Sequence, residues 1–192
     1  MELNDEETHR FHKIVANKID RYLEENGISL QSRERSPECG GKHRIPLYVQ
    51  SKGQKPIEYC NADYIVTLDN EVKVVVEIEE SDFKPIYLLG KAIVTGYSEI
   101  HIAGNLSKNE RVSKELVLLQ IIIDETSKNS EKRRQWDSVS SKLKEVTEKK
   151  HLGNISKYEL IHENPSYFLS DEFLEYLGTI LGKTLISWQG DD

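Results

Sequence analysis

Residues 59–80 read YCNADYIVTLDNEVKVVVEIEE, and this stretch decides the fold. Apolar and polar side chains alternate over Ala62–Leu68 and again over Val72–Glu79. Strict alternation is typical of β-strands that bury one face. Because the two segments follow each other closely along the chain, a β-hairpin is the simplest connection between them.

The register of this hairpin can be predicted from its side chains. The apolar residues of both strands should face one core, which requires Leu68 to pair with Val72 across a three-residue loop, residues 69–71. The same register places Asp63 opposite Glu77. The apolar set consists of Ala62, Tyr64, Val66 and Leu68 on the first strand and Val72, Val74, Val76 and Ile78 on the second.

Asp63, Glu77 and Glu79 would then form an acidic cluster on one side of the sheet. Directly opposed residues of an antiparallel pair have Cβ atoms about 4.5–5.5 Å apart. Carboxylates at that distance repel each other unless a cation, a proton or a basic partner neutralises them. Hard cations such as Mg²⁺ bind oxygen ligands of this kind. The alternative interpretation is a solvated polar face that Lys73 helps to neutralise.

The remaining elements place this hairpin in an α/β fold with a mixed central sheet flanked by helices. The expected order is α-β-β-β-α-β-β-α-β-α. On the helix of residues 84–98, apolar spacing predicts that Ile86, Leu89, Ile93 and Tyr97 face the core. The other predicted helices are 6–25, 130–150 and 170–181, and the other predicted strands are 45–50, 99–103, 116–123 and 158–162.

Length and composition narrow the class of protein. The 192 residues fit one domain, with a core over 6–123 and a C-terminal extension over 124–192. A net charge of −7 argues against a protein that coats nucleic acid through charge alone. Two cysteines predict reduced thiols and a cytoplasmic protein. We find no apolar run that predicts a membrane span and no signal peptide.

The hairpin resembles the active-site pattern of the PD-(D/E)XK nuclease superfamily, which includes many restriction endonucleases. In that pattern an acid begins one strand, and a second acid is followed two residues later by a lysine or its replacement. Asp63 matches the first acid and Glu77 the second, while Glu79 stands in the lysine position. The chain is thus similar to the Glu-x-Glu version of the pattern, and the fold that it implies is restriction endonuclease-like.

The resemblance implies a magnesium-dependent endonuclease that hydrolyses DNA phosphodiester bonds. Asp63, Glu77, Glu79 and the backbone carbonyl of Ile78 would bind Mg²⁺, with Mn²⁺ as a possible substitute. Glu79 cannot supply the positive charge of the family lysine, and in some members the basic residue lies on the following helix. Lys91 is the candidate there. Glu7 on the first helix could add a ligand, although a surface position is its ordinary interpretation.

Partners are predicted less directly. A polar loop over residues 31–44 contains Arg33, Arg35, Lys42 and Arg44, which could bind phosphates or could simply be solvated. Duplex DNA is the expected substrate. A homodimer is plausible, because two symmetric sites often cut the two strands of a duplex.

Two other functions stay open at this point. The same fold could carry an inactive nucleic-acid-binding or interaction module, and Glu79 in the lysine position keeps that alternative alive. The protein could also be no nuclease at all, with an acidic hairpin that is only a solvated face.

Overall fold

The chain forms a mixed α/β structure. A computed structural model describes residues 10–29, 33–50, 53–80, 84–102, 109–124 and 130–189. The strands are β1 (Arg33–Arg35), β2 (Ile45–Val49), β3 (Ile57–Ala62), β4 (Tyr64–Leu68), β5 (Glu71–Glu80), β6 (Ile100–Ile102), β7 (Asn109–Ile123) and β8 (Ile155–Glu163). The helices are α1 (Arg10–Glu25), α2 (Pro85–Gly96), α3 (Ser130–Glu148), α4 (Pro165–Leu169) and α5 (Asp171–Gln189).

All eight of these strands belong to one sheet with the order β1-β4-β5-β7-β6-β2-β3, and β8 also pairs with β7. β4 and β5 are antiparallel, whereas β7 runs parallel to both β5 and β8. The predicted mixed sheet flanked by helices is therefore confirmed. The predicted order lacked β1, β3 and the short helix α4, because each is brief or has little alternation of apolar and polar residues.

Asp63 lies where one extended segment changes its pairing partner. β3 ends at Ala62 and β4 begins at Tyr64, so Asp63 alone joins the two strands. β3 pairs with β2, whereas β4 pairs with β5, and these positions are far apart in the strand order. A single linking residue can join them only if the sheet curls. We call this junction between β3 and β4 the seam.

The hairpin has the predicted register near the seam but a different turn. Tyr64 pairs with Val76, so the strand direction places Asp63 beside Glu77. The turn is Asp69-Asn70, with φ of 53° and 60°, and Leu68 pairs with Glu71. Positive φ at both positions is the two-residue hairpin turn that suits twisted strands. The predicted three-residue loop was wrong, and a register shift after Val66 absorbs the one-residue difference.

Helices cover both faces of the sheet. One core contains α1 and α5 residues together with Tyr64, Val74 and Ile78. The other core contains α2 and α3 residues together with Ala62 and Val72. The prediction that Ala62 and Val72 share the first core was wrong, because the seam interrupts alternation after Ala62 and the register shifts between Val72 and Val74.

Helix α2 buries a different face from the one predicted. Leu88, Ala92 and Thr95 are buried against the sheet and α3. The predicted core positions Ile86, Ile93 and Tyr97 are instead about half exposed or more, at 63, 49 and 53%. A helix with apolar residues on two sides has no single apolar stripe that predicts its buried face. In the structure, the side that carries Leu88, Ala92 and Thr95 is the buried one. No helix in the described part of the chain has the length and apolar character to span a bilayer.

Strand β1 forms inside the segment that the sequence predicts to be a polar loop. Its Arg33 and Arg35 side chains both form ion pairs with Asp20 of α1, which is 4% exposed. The Tyr64 hydroxyl also donates a hydrogen bond to Asp20, at 2.7 Å. This buried acid therefore ties α1 to β1 and β4, and the two arginines have a structural role.

We predict that Asp20→Ala lowers the free energy of unfolding by about 3–5 kcal/mol, because it leaves two partly buried guanidinium groups without their acid. Urea denaturation measures the change. Glu25→Ala is the matched control on the same helix. Its ion pair with Arg21 is more than half exposed, so this substitution should cost far less than Asp20→Ala. Equal losses in the two variants would contradict this role of Asp20.

Candidate metal and catalytic site

Four of the predicted site residues meet at the seam. Asp63 comes from the seam itself, Glu77 and Glu79 from β5, and Lys91 from α2. Glu77 and Glu79 are two residues apart on one strand, so they share a face of the sheet. Lys91 reaches this face because α2 packs on it through Leu88 and Ala92.

Glu77 is the buried member of the group. Its residue is only 1% exposed, and its Oε2 accepts a hydrogen bond from the Lys91 Nζ at 2.8 Å. The other oxygen, Oε1, is buried and has no hydrogen-bond partner among the described residues. An orphaned carboxylate oxygen in this position has a coordination site to offer, since buried polar atoms are nearly always bonded.

Lys91 contacts both glutamates. Its Nζ is 2.8 Å from Glu77 Oε2 and 2.5 Å from Glu79 Oε1. Burial acts to lower the pKa of Lys91, but the nearby carboxylates outweigh it and raise that pKa. The ammonium therefore stays charged across the physiological range. The sequence predicts that Lys91 of this helix supplies the missing positive charge, and the structure brings its ammonium against both glutamates.

Asp63 is held by the backbone of β5. Its Oδ2 accepts a hydrogen bond from the Ile78 N–H at 2.7 Å. The N–H and C=O of one strand residue point to the same edge. The Ile78 carbonyl therefore faces the seam beside Asp63, as a metal ligand there must. The Ile78 side chain is buried in the opposite core, which fixes the strand in this position.

The charges at the seam do not balance. Three carboxylates surround one ammonium, so the fully ionised group carries a net charge of −2. Burial raises the pKa of Glu77 to about 8, with Lys91 opposing and Asp63 adding to the rise. Burial also raises the pKa of Asp63 to about 6. A proton relieves the excess charge in the metal-free protein, and a divalent cation would relieve it equally well.

The ligand atoms of the three acids lie farther apart than the hairpin geometry predicts. They are not among the described His, Cys, Asp and Glu groups in which three ligand atoms lie within 4.8 Å of one another. The Lys91 ammonium lies against both glutamates instead. An ion shared by all three acids would therefore require side-chain movements that release Lys91 from at least one glutamate.

Gln120 is a site residue that the sequence did not single out. It pairs with Glu77 across β5 and β7 and is 2% exposed. Its Nε2 donates to the Leu88 carbonyl of α2 at 3.3 Å, and its Oε1 accepts from the Tyr158 hydroxyl at 2.8 Å. Leu88 is one helical turn before Lys91, so Gln120 positions the lysine. A polar residue inside the apolar run of β7 was the available signal.

The predicted basic residues separate into two groups. Arg33 and Arg35 are paired with Asp20, as described above. Lys42 and Arg44 are exposed, and Arg44 lines a cleft of about 320 Å³ together with Ser36, Asn61 and Asp63. Glu38 also lines this cleft, so its wall carries both an arginine and acids. Glu7 lies outside the described residues.

Two neighbouring groups have other roles. Glu80, which received no role from the sequence, accepts hydrogen bonds from the Phe11 and His12 N–H groups at 3.0 and 3.1 Å and so caps the start of α1. Cys39 and Cys60 are free. Burial raises the pKa of Cys60 to about 11, so this thiol is no nucleophile at neutral pH.

Comparisons with protein-family models, with curated proteins and with solved structures found no match to this chain.

We predict that the stability of the metal-free protein falls as pH rises through the range where Glu77 binds a proton only in the folded state. The unfolded carboxyl ionises near its ordinary pKa of 4.5 and the folded one near 8. The folded state therefore binds more protons between these values, and stability declines by up to about 1.4 kcal/mol per pH unit. Glu77→Gln, neutral at every pH, should flatten this decline.

Urea unfolding at pH 5, 6, 7 and 8 in EDTA measures the slope for both proteins. Because Asp63 raises the pKa of Glu77, the difference between the slopes reports Glu77 together with its effect on Asp63. Identical slopes would contradict the raised pKa of Glu77 and the proton that relieves the excess charge at the seam.

Proposed function

We propose that this protein is a Mg²⁺-dependent endonuclease that hydrolyses DNA phosphodiester bonds. The observation that carries the proposal is the meeting of Glu77, Glu79 and Lys91 beside Asp63. Asp63, Glu77 and Glu79 are the acids of the nuclease pattern. Because Glu79 stands in the usual lysine position, the ammonium comes from Lys91 of α2 instead. The result is an acid–lysine set in which the lysine comes from a different element.

The donors at the seam suit magnesium. The oxygens of Asp63 and Glu77, the Ile78 carbonyl and the more exposed Glu79 are hard ligands of the kind Mg²⁺ prefers. The unpartnered Oε1 of Glu77 provides one coordination position without breaking an existing bond. When bound, Mg²⁺ would polarise a phosphate and lower the pKa of a water molecule.

The remaining chemistry belongs to the side chains. Lys91 keeps its proton, so it stabilises the negative charge that develops on the phosphate and is unsuited to act as a base. Glu79, whose side chain is 24% exposed, would accept a proton from the attacking water. Arg44 at the cleft contacts the substrate backbone, and Lys42 extends this basic edge.

The net negative charge of the chain is compatible with this function. The excess acid at the seam serves metal binding, whereas Arg44 brings positive charge to the cleft that Asp63 and Glu38 also line, and Lys42 is exposed two residues before it. Duplex DNA is the proposed substrate. A homodimer would let two such sites cut both strands. The free cysteines support a cytoplasmic location.

We predict that the protein cleaves plasmid DNA with Mg²⁺ or Mn²⁺ and not with EDTA. Asp63→Ala and Glu77→Ala should each reduce cleavage by at least about 100-fold, because each removes an oxygen ligand. Agarose electrophoresis of plasmid, beside single-stranded DNA and RNA, measures the activity and its substrate class. Glu99→Ala, an exposed acid far from these ligands in sequence, is the control.

Binding of DNA without cleavage would replace this proposal with the inactive binding module. Metal affinity without any effect on nucleic acid would exclude both. Cleavage that survives in the Asp63 and Glu77 variants would mean that the activity resides elsewhere.

We predict that Lys91→Ala lowers cleavage by about 100-fold while metal binding persists, because the variant loses a charge-stabilising donor and no ligand. Lys84→Ala, an exposed lysine just before the same helix, should leave the rate unchanged. The exchange variant Glu79→Lys with Lys91→Glu moves the ammonium to the usual position in the pattern. It should recover part of the activity lost in Lys91→Ala. Full activity of Lys91→Ala would contradict the role of Lys91. An exchange variant no more active than Lys91→Ala would contradict the equivalence of the two lysine positions.

A further inference from the structure

A second group of ligand-type side chains includes none of the four residues at the seam. Glu34 of β1, His101 of β6 and Glu110 of β7 each place one ligand atom within 4.8 Å of the other two. His101 is fully buried and Glu110 is 6% exposed. The sequence did not predict this group, because its members come from three separate strands and the histidines show no metal-binding spacing.

The fold explains how these residues meet. His101 and Glu110 are directly opposed in the antiparallel pair of β6 and β7. Cβ atoms at such positions lie about 4.5–5.5 Å apart. β1 is the first strand in the hydrogen-bonded order and pairs with β4. It approaches β6 only because the sheet curls. The group therefore connects two parts of the sheet that are remote in the hydrogen-bonded order.

The hydrogen bonds of His101 fix the role of its ring nitrogens. Nδ1 is 3.0 Å from the Pro46 carbonyl oxygen, which can only accept, so Nδ1 carries a proton and donates. Nε2 is 3.0 Å from Glu34 Oε1. A bare Nε2 lone pair would repel that carboxylate oxygen. Nε2 therefore binds either a second proton or a cation.

The geometry accommodates the cation. A divalent ion bound at Nε2 of neutral His101 would be within reach of Glu34 and Glu110, since one ligand atom of each residue lies within 4.8 Å of the other two. A hydrogen bond from Nδ1–H to a backbone carbonyl is also the contact that orients the imidazole of metal-bound histidines. Glu110 is similarly oriented, since its Oε2 accepts a hydrogen bond from the Thr67 hydroxyl at 2.9 Å.

We propose that Glu34, His101 and Glu110 form a site for a divalent transition metal of the Zn²⁺ class. One imidazole nitrogen and two carboxylate oxygens are ligand types that Zn²⁺ binds, and a water molecule would complete four-coordination. Imidazole distinguishes this site from the all-oxygen group at the seam, where Mg²⁺ is favoured. The site joins β1 to β6 and β7.

Strand β1 connects the proposed ion to the seam. β1 leads directly into Ser36, whose N–H donates to the Asp63 carbonyl at 2.8 Å. An ion that anchors Glu34 therefore steadies the segment that holds Asp63 at the seam. The proposed metal is structural and acts on the seam through β1. The proposal does not depend on nuclease activity.

The test is a Co²⁺ titration of the full-length protein, stripped with EDTA and kept in excess Mg²⁺ so that Mg²⁺ competes at the seam. We expect one Co²⁺ per chain, seen as visible d–d absorption and displaced by Zn²⁺. The hydrogen bonds that orient a metal ligand alone contribute about 10–100-fold to metal affinity. Loss of the imidazole in His101→Gln should therefore weaken Co²⁺ binding by at least about 100-fold.

Glu34→Gln keeps the protein testable if the buried His101 variant fails to fold, because the Glu34 side chain is 34% exposed. It should also weaken Co²⁺ binding, whereas Glu99→Gln, next to β6 and exposed, should not. Thermal melting provides a second readout, with Zn²⁺ raising the Tm of the unmodified protein and not of the variants. Absence of Co²⁺ binding, or binding that persists in Glu34→Gln and His101→Gln, would overturn the proposal. A Glu34→Gln protein that melts lower regardless of metal would assign the group to an imidazolium ion pair.

Discussion

The excess negative charge at the seam is the constraint on which the rest of the site depends. Three acids face one ammonium, and Glu77 is buried where water cannot screen it. A carboxylate in such a place is tolerated only with a proton, a basic partner or a cation. The fold supplies Lys91 as the partner and leaves one Glu77 oxygen unpaired among the described residues. The site is thus suited to a cation, and without one the pKa of Glu77 is raised.

Much of this arrangement follows from local pattern. The alternation of valines and acids on β5 set the strand, its buried face and the approximate register with β4, because a one-residue slip would bury an acid. That is why Asp63 could be placed beside Glu77 before any coordinates. Lys91 could be chosen by its position on the next helix. The predicted three-residue loop was wrong, because a two-residue turn combined with a register shift gives the same pairing at the seam.

What the sequence did not reveal depends on contacts between distant segments. Arg33 and Arg35 resembled a phosphate-binding loop, yet Asp20 of α1 binds both. The apolar positions of α2 pointed to a core side that the structure leaves exposed, since packing of Ala92 and Leu88 determined the orientation. Glu34, His101 and Glu110 meet only because the sheet curls. None of these contacts leaves a periodic signal, because the partners come from different helices and strands.

A crystal structure of the protein soaked in Mn²⁺, with anomalous scattering to locate the ion, tests the central claim most directly. The account predicts a peak at the seam, about 2.1–2.2 Å from oxygens of Asp63, Glu77 and the Ile78 carbonyl. The Lys91 ammonium would have moved away from Glu77. If the seam holds no ion at saturating Mn²⁺ and Lys91 still bridges Glu77 and Glu79, the acids serve only to neutralise that lysine, and the catalytic interpretation is wrong.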